Sequence, residues 1–162
     1  MASSTKSLRR SGGFTLVEVL VAVSLLTIVM VGGFSANNLA ANSAGINKLR
    51  SQANLLAGEG MEALLSVRAA EFTSLSPGTF QPVYNSGIWT LSPGAEVLEK
   101  YTRKIVLTPV MRDMVCSTPV CDIVSAGGKI DPYTYQATVE VAWKENGQDK
   151  SFALDSLITY WR

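Results

Sequence analysis

The first thirteen residues are polar and basic, and the chain then turns abruptly apolar. From Phe14 to Ala36 it reads FTLVEVLVAVSLLTIVMVGGFSA, apolar or small apart from a few hydroxyls and one acid, Glu18; the next charge is Lys48. As a helix this stretch would be about 35 Å long, enough to cross the hydrocarbon core of a bilayer. Beyond Ala36 the pattern becomes amphipathic. Ile46, Leu49, Ala53, Leu56, Gly60, Leu64 and Val67 recur at spacings of three and four, while Lys48, Arg50, Gln52, Glu59, Glu62 and Arg68 take the other side. The stripe reads as a surface that packs on a core, and the charges opposite it read as a solvated face. No proline interrupts the chain before Pro77, so the two zones predict one helix over residues 14–71. At about 85 Å it would be too long for the remaining chain to cover, and its first half is expected to project. Gly32 and Gly33 weaken it locally, by about 1 kcal/mol each relative to alanine, and mark where it is expected to bend or melt in an assembly.

After Glu71 the texture changes again. Residues 73–94, TSLSPGTFQPVYNSGIWTLSPG, break every short run with proline, glycine or serine, which predicts loop with a short hairpin around Asn85 to Gly87. Residues 101–112, YTRKIVLTPVMR, predict a strand, with Pro109 pointing to an edge or an end. From Tyr133 the alternation is regular: Tyr135, Ala137, Val139, Val141 and Trp143 share one face, and Gln136, Thr138 and Glu140 the other. Asn146-Gly147 suits a type I′ hairpin turn into a last strand, KSFALDSLITYWR. Tyr135, Trp143, Phe152, Tyr160 and Trp161 read as core and strand-pairing residues. Three antiparallel strands laid on the amphipathic half of the helix give an α+β fold. Residues 72–162 would form the head.

Composition narrows the chemistry. With 162 residues, 47% of them hydrophobic, the chain can bury a core. A net charge of +1 gives no field suited to a nucleic-acid partner. Histidine is absent and there are two cysteines, so the usual zinc ligand sets and histidine-activated nucleophiles are missing. No catalytic residue, cofactor or metal site is expected. Lys6, Arg9 and Arg10 are the only charges ahead of the apolar run, the arrangement that holds a terminus on the cytoplasmic side.

Glu18 is the residue that needs explaining. A secretory signal peptide cut after Ala36 or Ala41 would have a shorter, uncharged apolar region. A plain single-span anchor would not easily hold an acid, which inside a membrane helix is costly and usually marks a function with a partner. GFTLVE behind a short basic leader resembles the type IV prepilin signature, through Gly13, Phe14, Thr15, Leu16 and Glu18. The resemblance implies that a prepilin peptidase removes residues 1–13 by cutting between Gly13 and Phe14. Phe14 is then N-methylated. Glu18 becomes the fifth-position acid that meets the cationic amino terminus of a neighbouring subunit, consistent with a buried charge being tolerable only when paired. It also implies residence in the inner (cytoplasmic) membrane by a single pass over residues 14–36, with the head outside, followed by assembly through an inner-membrane platform with other pilin or pseudopilin subunits.

LLAGEGMEALLSVR, the strand TVEVAW and the closing ITYWR are together similar to the PilV-type minor pilins and the GspI-type pseudopilins of type II secretion. The implied function is a minor pilin, with a pseudopilin as the alternative and an uncut anchored binding protein behind both. Cys116 and Cys121 either close a small loop in an exported head, contributing roughly 2 kcal/mol, or remain two thiols. Some pseudopilins bind calcium, but Asp113, Asp122 and Asp131 fit no EF-hand spacing and read as surface acids.

Overall fold

A computed structural model of the chain describes residue 13, residues 15–114 and residues 121–160. It divides into two compact units, Met1–Gly45 and Ile46–Arg162. One helix, α1 (Leu16–Ala70), contributes to both. In the first unit every described residue is exposed. In the second, the helix buries Ala53, Ala57, Gly60, Met61, Ala63 and Leu64, with Leu49, Leu56 and Val67 packed beside them. The predicted stripe is therefore the packing face. α1 runs unbroken through Gly32 and Gly33, and ends where Glu71 takes an extended conformation and a 3-10 turn, Phe72–Ser74, drops Phe72 into the core.

Among the described residues, the rest forms one antiparallel sheet of seven strands: β1 (Gly78–Asn85), β2 (Ile88–Pro93), β3 (Glu96–Leu98), β4 (Tyr101–Arg112), β5 (Ile123–Val124), β6 (Lys129–Glu145) and β7 (Gln148–Thr159). The main order is β2-β1-β4-β6-β7, and β3 and β5 also pair with β4. The fold is α+β, a helix packed on an antiparallel sheet, as expected. The strand count is corrected from three to seven. The short hairpin expected around Asn85 to Gly87 is present but longer than expected: residues 78–93, otherwise expected to be loop, form a six-pair hairpin whose turn places Ser86 (φ 51°) and Gly87 (φ 87°) in the left-handed region. Asn146 (φ 52°) and Gly147 (φ 79°) do the same between β6 and β7, as the dipeptide predicted.

The expectation for Pro109 is also corrected. β4 is the central strand, paired along its length with β6, and Pro109 sits where the register breaks: Pro109 faces Tyr135, but Val110 faces Asp131. The irregularity accommodates a residue that cannot donate to a regular ladder. Trp143 is buried, and Tyr135 and Phe152 pack on the core as expected. Tyr160 packs against Phe72 with the rings tilted and their centroids 5.3 Å apart; Trp161 lies outside the described residues.

Small residues, Ala53, Ala57, Gly60 and Ala63, make up most of the helix's buried face. Opposite them the sheet presents Ile105, Leu107, Ala137, Val139, Val141 and Ile158. Polar side chains then fix the seating. The Arg103 guanidinium, 2% exposed, donates to the Leu56 carbonyl at 3.0 Å and to Glu96 Oε2, and lies 3.3 Å from Glu59 Oε2. Arg50 donates to the buried Glu145 at 3.2 Å, and the Tyr101 hydroxyl lies within 3.1 Å of the Leu49 carbonyl and Gln52 Oε1. Hence Arg50, Gln52 and Glu59 are not simply a solvated face, as periodicity suggested; they reach back onto the sheet. Burial raises the Tyr101 hydroxyl pKa above its ordinary value.

Candidate functional site

The amino-terminal end of α1 is built by short-range chemistry. Thr15 is the cap: its carbonyl accepts the first intrahelical bond, from the Val19 N–H at 3.2 Å, and its Oγ1 accepts the Glu18 N–H at 3.3 Å. This places Glu18 at the third helical position, where a carboxylate also interacts favourably with the helix dipole. Thr15-Leu16-Val17-Glu18 has the capping-box spacing. That spacing is readable in the sequence, where Thr15 stands as part of the prepilin signature and its capping role is the added finding. Gly13 precedes the helix and is exposed.

Beyond the cap, Leu16, Val19, Leu20, Val23, Leu26 and Val29 are all more than half exposed, a continuous apolar surface that water does not favour. The hydroxyls within it are satisfied locally. Ser24 donates to the Leu20 carbonyl at 2.8 Å, Thr27 to Ser24 at 2.7 Å and Ser35 to Val31 at 3.0 Å, so none carries an unsatisfied donor into a lipid phase. The helix is long and apolar enough to cross a membrane, and none of its most apolar stretch is buried. Glu18 is therefore the one ionisable group on this apolar surface.

Phe14 and Cys116 lie outside the described residues, so the cleavage junction and the cysteine pairing are not brought together here. Cys121 is described, and its carbonyl accepts a hydrogen bond from Arg112 at 2.8 Å. The same guanidinium donates to Asp131 at 2.6 Å, and Asp131 also accepts from the Thr134 hydroxyl and the Tyr133 N–H. Of the three acids considered for calcium, Asp131 is thus engaged within the fold, and the Asp113 N–H donates to the Asp122 carbonyl. Among the described residues no group of three or more potential ligands comes together.

Burial alone would raise the Asp131 pKa, but the hydrogen bonds from Arg112, Thr134 and Tyr133, with the Arg112 charge, hold it below the ordinary carboxylate value. An acid whose pKa is lowered on folding stabilises fully above its unfolded value, about 3.9, and loses that contribution as pH falls through the folded value. Asp131→Asn should cost about 1–3 kcal/mol at neutral pH, because Arg112 loses its charged partner. The gap between wild type and variant should narrow when urea midpoints are compared at pH 7 and pH 3. A gap unchanged at pH 3 would remove the ion pair from the account.

A family model described as the prokaryotic N-terminal methylation motif matches residues 8–34. That span contains Gly13, the Thr15 cap, Glu18 and the exposed apolar run. No curated protein and no solved structure matches the chain. The match covers the amino-terminal stretch and supports a type IV prepilin-like chain with an apolar helix long enough to anchor it in a membrane.

Proposed function

We propose that this type IV prepilin-like chain is a minor pilin: a subunit inserted in the inner membrane as a precursor, processed between Gly13 and Phe14, and built into a helical filament. Residues 1–13 are the leader, 14–36 the single membrane pass and later the filament core, and 72–162 the head, held outside the cytoplasm. Prepilin peptidase hydrolyses the bond after Gly13. The freed Phe14 amine then accepts a methyl group from an electrophilic methyl donor. An inner-membrane assembly platform draws the subunit from the bilayer into contact with its neighbours. The role is assembly rather than catalysis.

One observation carries the reading: a lone carboxylate, Glu18, on an otherwise apolar helix surface within a matched methylation motif. An isolated charge there is costly in lipid and in a filament core alike. The methylated, cationic amino terminus of an adjoining subunit neutralises it and fixes the register between two otherwise featureless helices. In the oxidising space outside the membrane, Cys116 and Cys121 close a short disulfide loop beside the Arg112 anchor.

The deciding experiment is coexpression with a prepilin peptidase followed by intact-mass measurement. The proposal requires loss of Met1 to Gly13 and gain of one methyl group. An intact chain would favour an anchored binding protein, and a chain beginning after Ala36 or Ala41 a secreted one. A pseudopilin of type II secretion would be processed identically. Deleting the gene separates the two, since the minor-pilin reading requires loss of surface filaments with protein export intact.

A further inference from the structure

We infer that Thr15 is a positioning residue for processing: by capping α1, whose first residue is Leu16, it keeps the helix from growing toward the bond to be cut. The inference rests on the processing reading above. In that step water adds across the Gly13–Phe14 amide, the C–N bond breaks, and the products are a carboxylate on Gly13 and an amine on Phe14. A peptide bond inside a helix has its groups committed to the helical ladder and is wrapped by side chains. It must be unwound before a hydrolase can grip it in extended form.

The described residues on either side of Phe14 show where the helix stops. Thr15 supplies both the first acceptor carbonyl and a hydroxyl for the Glu18 N–H, Leu16 is the first helical residue, and Gly13 is non-helical, with open space around it. Without the hydroxyl, an additional N–H at the helix start would face an apolar phase with no acceptor. Fraying inward would expose still more backbone to lipid. Growth toward the polar leader relieves the loss, and the next upstream side chain of capping type is Ser11. A helix capped there would enclose the Gly13–Phe14 bond in its first turn. Gly12 and Gly13 oppose that growth through their low helix propensity, and the Thr15 hydroxyl supplies the favourable stop.

The test uses full-length precursor in detergent with purified prepilin peptidase, and reads kcat/KM from intact-mass time courses. Thr15→Ser and Thr15→Asn retain capping ability; Thr15→Val keeps the shape of threonine without its hydroxyl, and Thr15→Ala shortens it. Ser and Asn should stay within about twofold of wild type, whereas Val and Ala should fall about fivefold, the scale of a lost cap. Amide exchange at Glu18 should change in the Val variant and not in the Asn variant. Cleavage of the Val variant at the wild-type rate would overturn the inference. So would equal slowing of Ser, Asn and Val, which would mean that the peptidase reads the threonine itself, or slowing of Val with unchanged exchange at Glu18. If wild-type precursor does not lose Met1 to Gly13, the processing reading fails, whatever the variants do.

Discussion

Glu18→Gln is expected to leave the subunit folded, membrane-inserted and cleaved, yet nearly absent from sheared filaments, with incorporation at least a hundredfold below wild type. The substitution separates two functions that meet in one side chain. Glutamine is as acceptable as glutamate at the third position of a capping box, and Thr15 still receives the Glu18 N–H through the backbone, so the helix start is preserved. The Glu18 side chain is exposed, so no core packing is lost. Only the charge is lost. If the carboxylate neutralises a neighbour's methylated amine inside the filament, the variant leaves that cation buried and unpaired, at a cost of about 3–5 kcal/mol. By the relation that 1.36 kcal/mol is a factor of ten, the loss exceeds a hundredfold. Quantitative immunoblotting of sheared filaments against the membrane fraction measures it. Equal incorporation of the glutamine variant would mean that the acid serves only the helix cap, and the assembly reading would fall.

What the sequence disclosed follows from how local each determinant is. The apolar run, its single acid and the basic leader are contiguous, and together they carried both the helix and the motif that the family comparison matches at residues 8–34. The stripe from Ile46 to Val67 and the alternation from Tyr135 to Trp143 were legible because one buried face imposes a single period on each element. The Asn146-Gly147 turn was legible because few dipeptides accept positive φ at both positions.

The turn of the hairpin β1–β2 was legible around Asn85 to Gly87, but the length of its strands was obscured by composition: Pro82 and Pro93 lie within them, and β1 pairs with β4 only from Gly78 to Phe80. Its stability comes from packing of Phe80 and Leu91 on the core, which no local pattern reveals. Pro109 misled for a related reason. Proline marks the end of a regular ladder, but it does not disclose that a bulge lets the central strand continue. Arg103 and Glu59 are 44 positions apart and belong to a strand and a helix whose meeting is a tertiary fact. Read singly, each looked like a surface charge.

That meeting point supports the second large prediction, on Gly60. In a solvent-facing helix, Gly→Ala would add stability, by about 1 kcal/mol. Here the sign should reverse. A Cβ on Gly60 would lie 2.8 Å from Val139 Cγ1 and 3.3 Å from Arg103 Cδ, and neither neighbour can yield easily. Val139 is fully buried on β6, and its branched side chain has little rotamer freedom. Arg103 is held by Leu56, Glu59 and Glu96. To admit one methyl group the helix must lift from the sheet or the guanidinium must release its partners, and overpacking of this kind costs about 1–3 kcal/mol. Gly60→Ala should therefore be net destabilising, and Gly60→Leu should fail to seat the helix at all. Denaturant unfolding of the processed chain in detergent, followed by the fluorescence of Trp143 at the same interface, measures the loss. Val139→Ala removes the methyl group that the new Cβ would strike, so the double variant should be more stable than the sum of the single losses allows, with a coupling of about 1 kcal/mol or more. Additive losses would mean that the two side chains do not meet. Stabilisation by Gly60→Ala alone would mean that α1 does not rest on β6 through this notch, and the packing described for the head would have to be redrawn.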